Sequence, residues 1–141
     1  MRLIIAVFLM LSGYAYAGCA NIDDSDQRNY CNAKQSGGSC AIINNADLRN
    51  TCYAETDGRS CALISDSDQR NYCYAKQDGR SCAIINNADL RNTCYAETDG
   101  RSCALISDSD QRNYCYATQD DRSCSIISNS DLRKQCEATK P

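Results

Sequence analysis

The sequence predicts an all-α fold: a disulfide-stapled α-solenoid of six 21-residue two-helix repeats with a 42-residue superrepeat. Three observations carry this. The twelve cysteines are spaced by alternating steps of twelve and nine residues, from Cys19 to Cys136. Units beginning at Cys19, Cys40, Cys61, Cys82, Cys103 and Cys124 share Cys at positions 1 and 13, Ile at 4, Asp at 8, Arg at 10 and Ala at 15. Helix start and stop signals recur in the same register in each unit, and no alternating strand pattern of useful length occurs.

Residues 1–17 precede the array. Arg2, an apolar run from Leu3 to Leu11 and the small-x-small triplet Ala15-Tyr16-Ala17 read as a secretory signal peptide, leaving 18–141 as a Cys-rich tandem-repeat domain. The apolar run is too short to span a bilayer. A second reading takes Ala17-Gly18-Cys19 as a lipobox with a lipid anchor on Cys19, although Tyr16 stands where such boxes carry Leu. Export leads to an oxidising compartment, secreted or periplasmic, where cysteines pair.

Within each unit, the Asp or Asn at position 6 is a helix N-cap followed by good helix formers, as in Ala46-Asp47-Leu48-Arg49. The Asp at position 8 then sits in the first turn, where it complements the helix dipole. Asp57-Gly58, Asp78-Gly79 and Asp99-Gly100 stop the helix. Ser39, Ser60, Ser81, Ser102 and Ser123 cap a second, shorter helix running through the next cysteine. Positions 9 and 12 read Gln and Tyr in odd units but Leu with Thr or Gln in even ones, which makes the true period two units. Segments 40–81 and 82–123 differ only at Lys76 against Thr118 and Gly79 against Asp121. A unit this small cannot bury its own apolar face, so stacking into an elongated array is expected, with the last unit as an end cap.

The core is thin. Residues 18–141 hold nine Ile and five Leu with no Val or Phe, too little to offset chain entropy unaided. Closing a loop of about a dozen residues with a disulfide contributes ~3 kcal/mol, so the crosslinks shift the balance. Two connectivities respect the repeat. Each unit closes on itself, Cys19 with Cys31, Cys40 with Cys52, Cys61 with Cys73, Cys82 with Cys94, Cys103 with Cys115 and Cys124 with Cys136; or position 13 pairs with the next unit's first cysteine, orphaning Cys19 and Cys136. Self-closure is favoured because it leaves no thiol over.

The repeated polar pair is the first candidate binding surface: Asp47 and Arg49, Asp68 and Arg70, Asp89 and Arg91, Asp110 and Arg112. Two residues apart on a helix, they do not face one another, and a cap plus a ladder between units is the plainer account. Tyr53, Tyr74, Tyr95 and Tyr116 at position 14, with Tyr30, Tyr72 and Tyr114 at position 12, form either an aromatic stripe or packing over sparse aliphatics.

Other chemistry finds little footing. The chain has no His and no Cys-x-x-Cys, so neither a metal centre nor a cofactor is expected. With no His to activate a nucleophile, a catalytic role is not expected either. The net charge is -3 with basic residues spread evenly, which argues against nucleic acid. The composite reading is a non-catalytic interaction or structural scaffold, engaging a protein or cell-surface partner that the sequence does not identify. A small secreted inhibitor or toxin-like effector, and a thiol-based metal or redox buffer, are the alternatives. A scaffold of this kind is expected to tolerate loss of one 42-residue block with graded loss of affinity.

Overall fold

The computed structural model describes residues 18–140; the expected signal peptide, 1–17, lies outside the described residues. Among the described residues, 18–20 are helical and six complete α-helices then alternate with short 3-10 turns: α1 Ser25–Ser36, α2 Ala46–Asp57, α3 Ser67–Asp78, α4 Ala88–Asp99, α5 Ser109–Gln119 and α6 Ser130–Thr139. The second helix expected in each unit is a single 3-10 turn, such as Cys61–Leu63, because one Ser cap and three residues offer too few backbone bonds for more.

The local signals act as expected. Asp24 accepts from the Gln27 N–H at 2.8 Å, and Asn45 from the Leu48 N–H at 2.9 Å, so position 6 caps each helix. Gly58, Gly79 and Gly100 end their helices at φ 64 to 65°, where a side chain would be strained. Each unit closes on itself through the six expected disulfides, with Cα–Cα distances of 5.6 to 5.8 Å. The scheme joining consecutive units does not form, and the sulfur of Cys19 is committed to Cys31.

The core is a series of small clusters, one per unit boundary. In each, Cys at positions 1 and 13 and Ile at position 4 enclose the position-15 Ala of the preceding unit, as Ala54 meets Cys61, Ile64 and Cys73. The small Ala side chain is buried against the next unit's disulfide. The Asp at position 8 is the mortar. Asp47 accepts from the backbone N–H of Ser65 at 2.7 Å and of Asp66 at 3.0 Å, and the same two bonds recur at each boundary. Asn at position 11 adds a third, as Asn50 Nδ2 donates to the Leu63 carbonyl at 2.6 Å.

The array is not elongated; it is a closed ring. Ala138 of the last unit packs on Cys19, Ile22 and Cys31 of the first, repeating the internal boundaries. Asp131 accepts from the backbone N–H of Asp23 at 3.0 Å and of Asp24 at 3.2 Å, completing the Asp series, and α1 packs against α6. The last unit is therefore no end cap. The curvature responsible is the sum of the small tilts that successive boundaries impose. Several departures of the terminal units from consensus lie at this seam: Lys134 replaces Asn and reaches Asp23 at 3.4 Å, and Gln135 replaces Thr and donates to Gln27 at 3.0 Å.

The boundaries are of two kinds. From an odd to an even unit, Tyr30, Tyr72 or Tyr114 packs with Leu48, Leu90 or Leu132 on the cluster. From an even to an odd unit, neither residue contributes. Helices accordingly pack most closely as α1 with α2, α3 with α4 and α5 with α6. Position 3 exposes Ile42, Leu63, Ile84, Leu105 and Ile126 to solvent. No helix among the described residues is long and apolar enough to cross a membrane.

Candidate functional site

Positions 9, 12 and 16 recur at helical spacing on one face of each helix, and ring closure turns that face toward the axis. The space around the axis comprises two adjoining, solvent-open cavities of about 630 and 640 Å³ that share Tyr30, Tyr72, Tyr114, Asp66, Gln69 and Glu97. These volumes are within the usual range for small-molecule pockets. The three tyrosines come from the odd units, so the lumen has approximate threefold character. Gln27, Gln69 and Gln111 alternate with Leu48, Leu90 and Leu132 above them.

Position 16 supplies the cations of the lining, Lys34 and Lys76, with Glu55 and Glu97, while Asp24, Asp26, Asp47, Asp66, Asp68, Asp89 and Asp108 add further carboxylates. Lys34 Nζ lies 2.9 Å from Glu55, and Lys76 Nζ lies 3.2 Å from Glu97 and 4.0 Å from Glu55. Tyr30 donates its hydroxyl to Glu55, and Tyr72 donates to Glu97 at 2.5 Å. Burial, and then the adjacent carboxylates, hold both phenols well above the ordinary tyrosine range. The Tyr114 hydroxyl is raised as well, chiefly by burial. In the third block, position 16 is Thr118 and Thr139. Thr118 Oγ1 donates to the Cys115 carbonyl at 3.0 Å, and Thr139 Oγ1 to the Cys136 carbonyl at 2.8 Å.

Of the residues singled out from the sequence as a binding surface, Tyr30, Tyr72, Tyr114, Asp47, Asp68 and Asp89 line these two cavities, and the others do not. Asp47, Asp68, Asp89 and Asp110 are the mortar between units. Paired backbone N–H donors hold Asp47, Asp68 and Asp89 below the usual carboxylate range. Arg49, Arg70, Arg91 and Arg112 turn back to their own unit, each donating from Nη1 to the carbonyl of the position-4 Ile at 2.7 to 2.8 Å. Asp and Arg therefore serve different partners, one across the boundary and one within the unit. Tyr53, Tyr74, Tyr95 and Tyr116 lie on the helix face opposite the lumen, each stacked under Arg59, Arg80, Arg101 or Arg122 at 3.8 to 3.9 Å.

Sequence reasoning missed Lys34, Glu55, Lys76 and Glu97. The signal was available: position 16 alternates Lys and Glu through four units and breaks to Thr in the last two, on the face already marked by positions 9 and 12. Ring closure was needed to see that this face surrounds a space. No protein-family model matches the chain, and no curated protein or solved structure shows significant similarity to it.

Proposed function

We propose that this protein is a non-catalytic binding scaffold of an oxidising compartment, secreted or periplasmic, and that the lumen is its binding surface. One observation carries the reading. Side chains that hold the ring together are the same at nearly every boundary, whereas position 16 on the axial face of the helices reads Lys, Glu, Lys, Glu, Thr, Thr around the ring and position 12 changes to Gln135 in the last unit. Invariant mortar around a variable axial space is the arrangement of a frame that presents a site.

Six intrachain disulfides fit an oxidising environment, since they would not persist where thiols are kept reduced. All twelve cysteines are paired, so a thiol buffer would first have to dismantle its own frame. An inhibitor would present one distinctive loop. Here the turns 57–60, 78–81 and 99–102 repeat the same Asp-Gly-Arg-Ser.

Equilibrium dialysis of the oxidised protein against a mixture of small metabolites, peptides and oligosaccharides tests the reading, with mass spectrometry of both chambers. Reversible enrichment of at least one compound, recovered unaltered, is the expected result. Conversion of a compound into a product, or no enrichment of any, would overturn it.

A further inference from the structure

Three blocks of two units make up the ring, and the first two each hold a cation on a lumen tyrosine. Lys34 Nζ lies 5.4 Å from the centre of the Tyr30 ring and 2.9 Å from Glu55, the carboxylate to which the Tyr30 hydroxyl donates. Lys76 repeats this with Tyr72 and Glu97, at 5.4 and 3.2 Å, and also reaches Glu55 of the preceding block at 4.0 Å. An aromatic face and carboxylates thus hold each ammonium. In the third block Tyr114 keeps the ring, but the residue four places on is Thr118, whose hydroxyl donates to the Cys115 carbonyl of its own helix. Among the described residues, no ammonium or guanidinium lies over Tyr114. Glu97 stands to Tyr114 in the repeat as Glu55 stands to Tyr72, and both Glu97 and Tyr114 line the cavity of about 630 Å³.

That cavity is the more negative of the two. Among the described residues its lining holds five carboxylates, Asp66, Asp68, Asp89, Glu97 and Asp108, with no lysine or arginine, whereas the adjoining cavity includes Lys34 and Lys76. Asp68 and Asp89 spend their oxygens on backbone N–H groups of the following unit, and Asp66 and Asp108 cap helices. These four therefore contribute potential rather than direct contacts. Glu97 is engaged by side chains alone, Tyr72 and Lys76, and faces the lumen as the carboxylate left for direct contact. Among the described residues, no three acidic groups converge closely enough to hold a metal ion. A diffuse negative field beside a tyrosine face suits an organic cation. Leu90 and Leu132 line the same cavity and offer its chain an apolar seat.

We propose that the lumen binds a primary alkylammonium ion at Tyr114, its ammonium over the phenol ring and against Glu97, its chain on Leu90 and Leu132. The ligand takes the place on Tyr114 and Glu97 that Lys76 takes on Tyr72 and Glu55. This inference rests on the scaffold reading and specifies its ligand.

Isothermal titration calorimetry of the oxidised protein with hexylammonium chloride, beside hexanol, sodium hexanoate and calcium chloride, tests it. Saturable binding of one hexylammonium per chain is expected, at least tenfold tighter than hexanol or hexanoate and not displaced by equimolar calcium. Thr118→Lys supplies an ammonium from the chain itself and is expected to lose at least tenfold in affinity while keeping its helical signal. Gln119→Lys adds the same charge at an exposed residue that lines neither cavity, and is expected to bind within twofold of the parent. Absence of saturable heat, equal binding of the controls, displacement by calcium, undiminished binding by Thr118→Lys or an equal loss in Gln119→Lys would overturn the proposal. If dialysis enriches another compound unaltered while hexylammonium is silent, the alkylammonium is excluded and the scaffold survives.

Discussion

Two kinds of boundary alternate around the ring, and they differ in what fills them. Where an odd unit meets an even one, a tyrosine and a leucine cover the cluster of cystine, Ile and Ala. Where an even unit meets an odd one, the cluster stands without them and polar side chains take over part of the work. Gln77 Nε2 donates to the Ala54 carbonyl at 2.7 Å, and Gln135 reaches Gln27 across the seam. Both kinds share the Asp mortar. The difference teaches that a repeat need not be uniform to close: a wide and a lean joint, taken in pairs, produce the same turn three times.

The severest way to break this pairing is to delete residues 40–81, which removes one joint of each kind. Four units cannot complete a circle built for six, so small-angle scattering is expected to show an open or associated particle, and cooperative unfolding at the parent temperature is expected to vanish. This reverses the sequence-based expectation of graded tolerance. A compact monomer with an unchanged melting temperature would show that the joints are pliable.

Tyr72→Ala empties a wide joint and is expected to cost about 3 kcal/mol, within the range for large-to-small changes at packed aromatics. Thr51→Ala, at the same position in a lean joint, is expected to cost less than ~0.5 kcal/mol. Urea unfolding with the disulfides intact distinguishes the two.

The joints also differ in their response to pH. Asp26, Asp47, Asp68, Asp89 and Asp131 are held below the ordinary carboxylate range by backbone N–H groups of the following unit. A depressed folded value contributes stability that is complete above the unfolded pKa of about 3.9 and is lost as pH falls below it. Acid is therefore expected to weaken both kinds of joint together. Tyr30, Tyr72 and Tyr114 are shifted upward. Their contribution is complete below the unfolded pKa of about 10 and declines as pH rises beyond it, so alkali is expected to open the wide joints first. Hydrogen exchange followed at acid and alkaline pH separates these patterns. Equal loss at all boundaries in alkali would remove the tyrosines from the account.

The smallest effect is expected at Asp121. It holds φ 60° where earlier units have glycine, and its side chain faces solvent. Asp121→Gly is expected to stabilise the last odd unit by about 0.5 to 1 kcal/mol by relieving that conformation. Thermal melts of the variant beside the parent protein measure it.

Much of the unit was legible in its own residues. Asp24 and Asn45 as caps, Gly58 as a stop and Cys40 with Cys52 as a staple all depend on near neighbours, which a linear pattern records. The ring was not legible, because curvature is the sum of small tilts at each joint and no single residue encodes it. The lumen followed from the ring. Asp47 and Arg49 drew attention because they repeat, and they repeat because every joint needs the Asp and every unit needs the Arg. On the axial face the pattern changes at position 16, which reads Lys34, Glu55, Lys76 and Glu97 before Thr118 and Thr139.

Closure also bears on heredity. Near-identical tandem segments in a gene misalign readily during replication and recombination, so gains and losses of whole segments are the commonest errors such a gene suffers. In an open rod each of these would merely lengthen or shorten the product. In a circle, five, seven or eight segments leave the ends unmatched, and folding itself becomes the proofreader that counts to six.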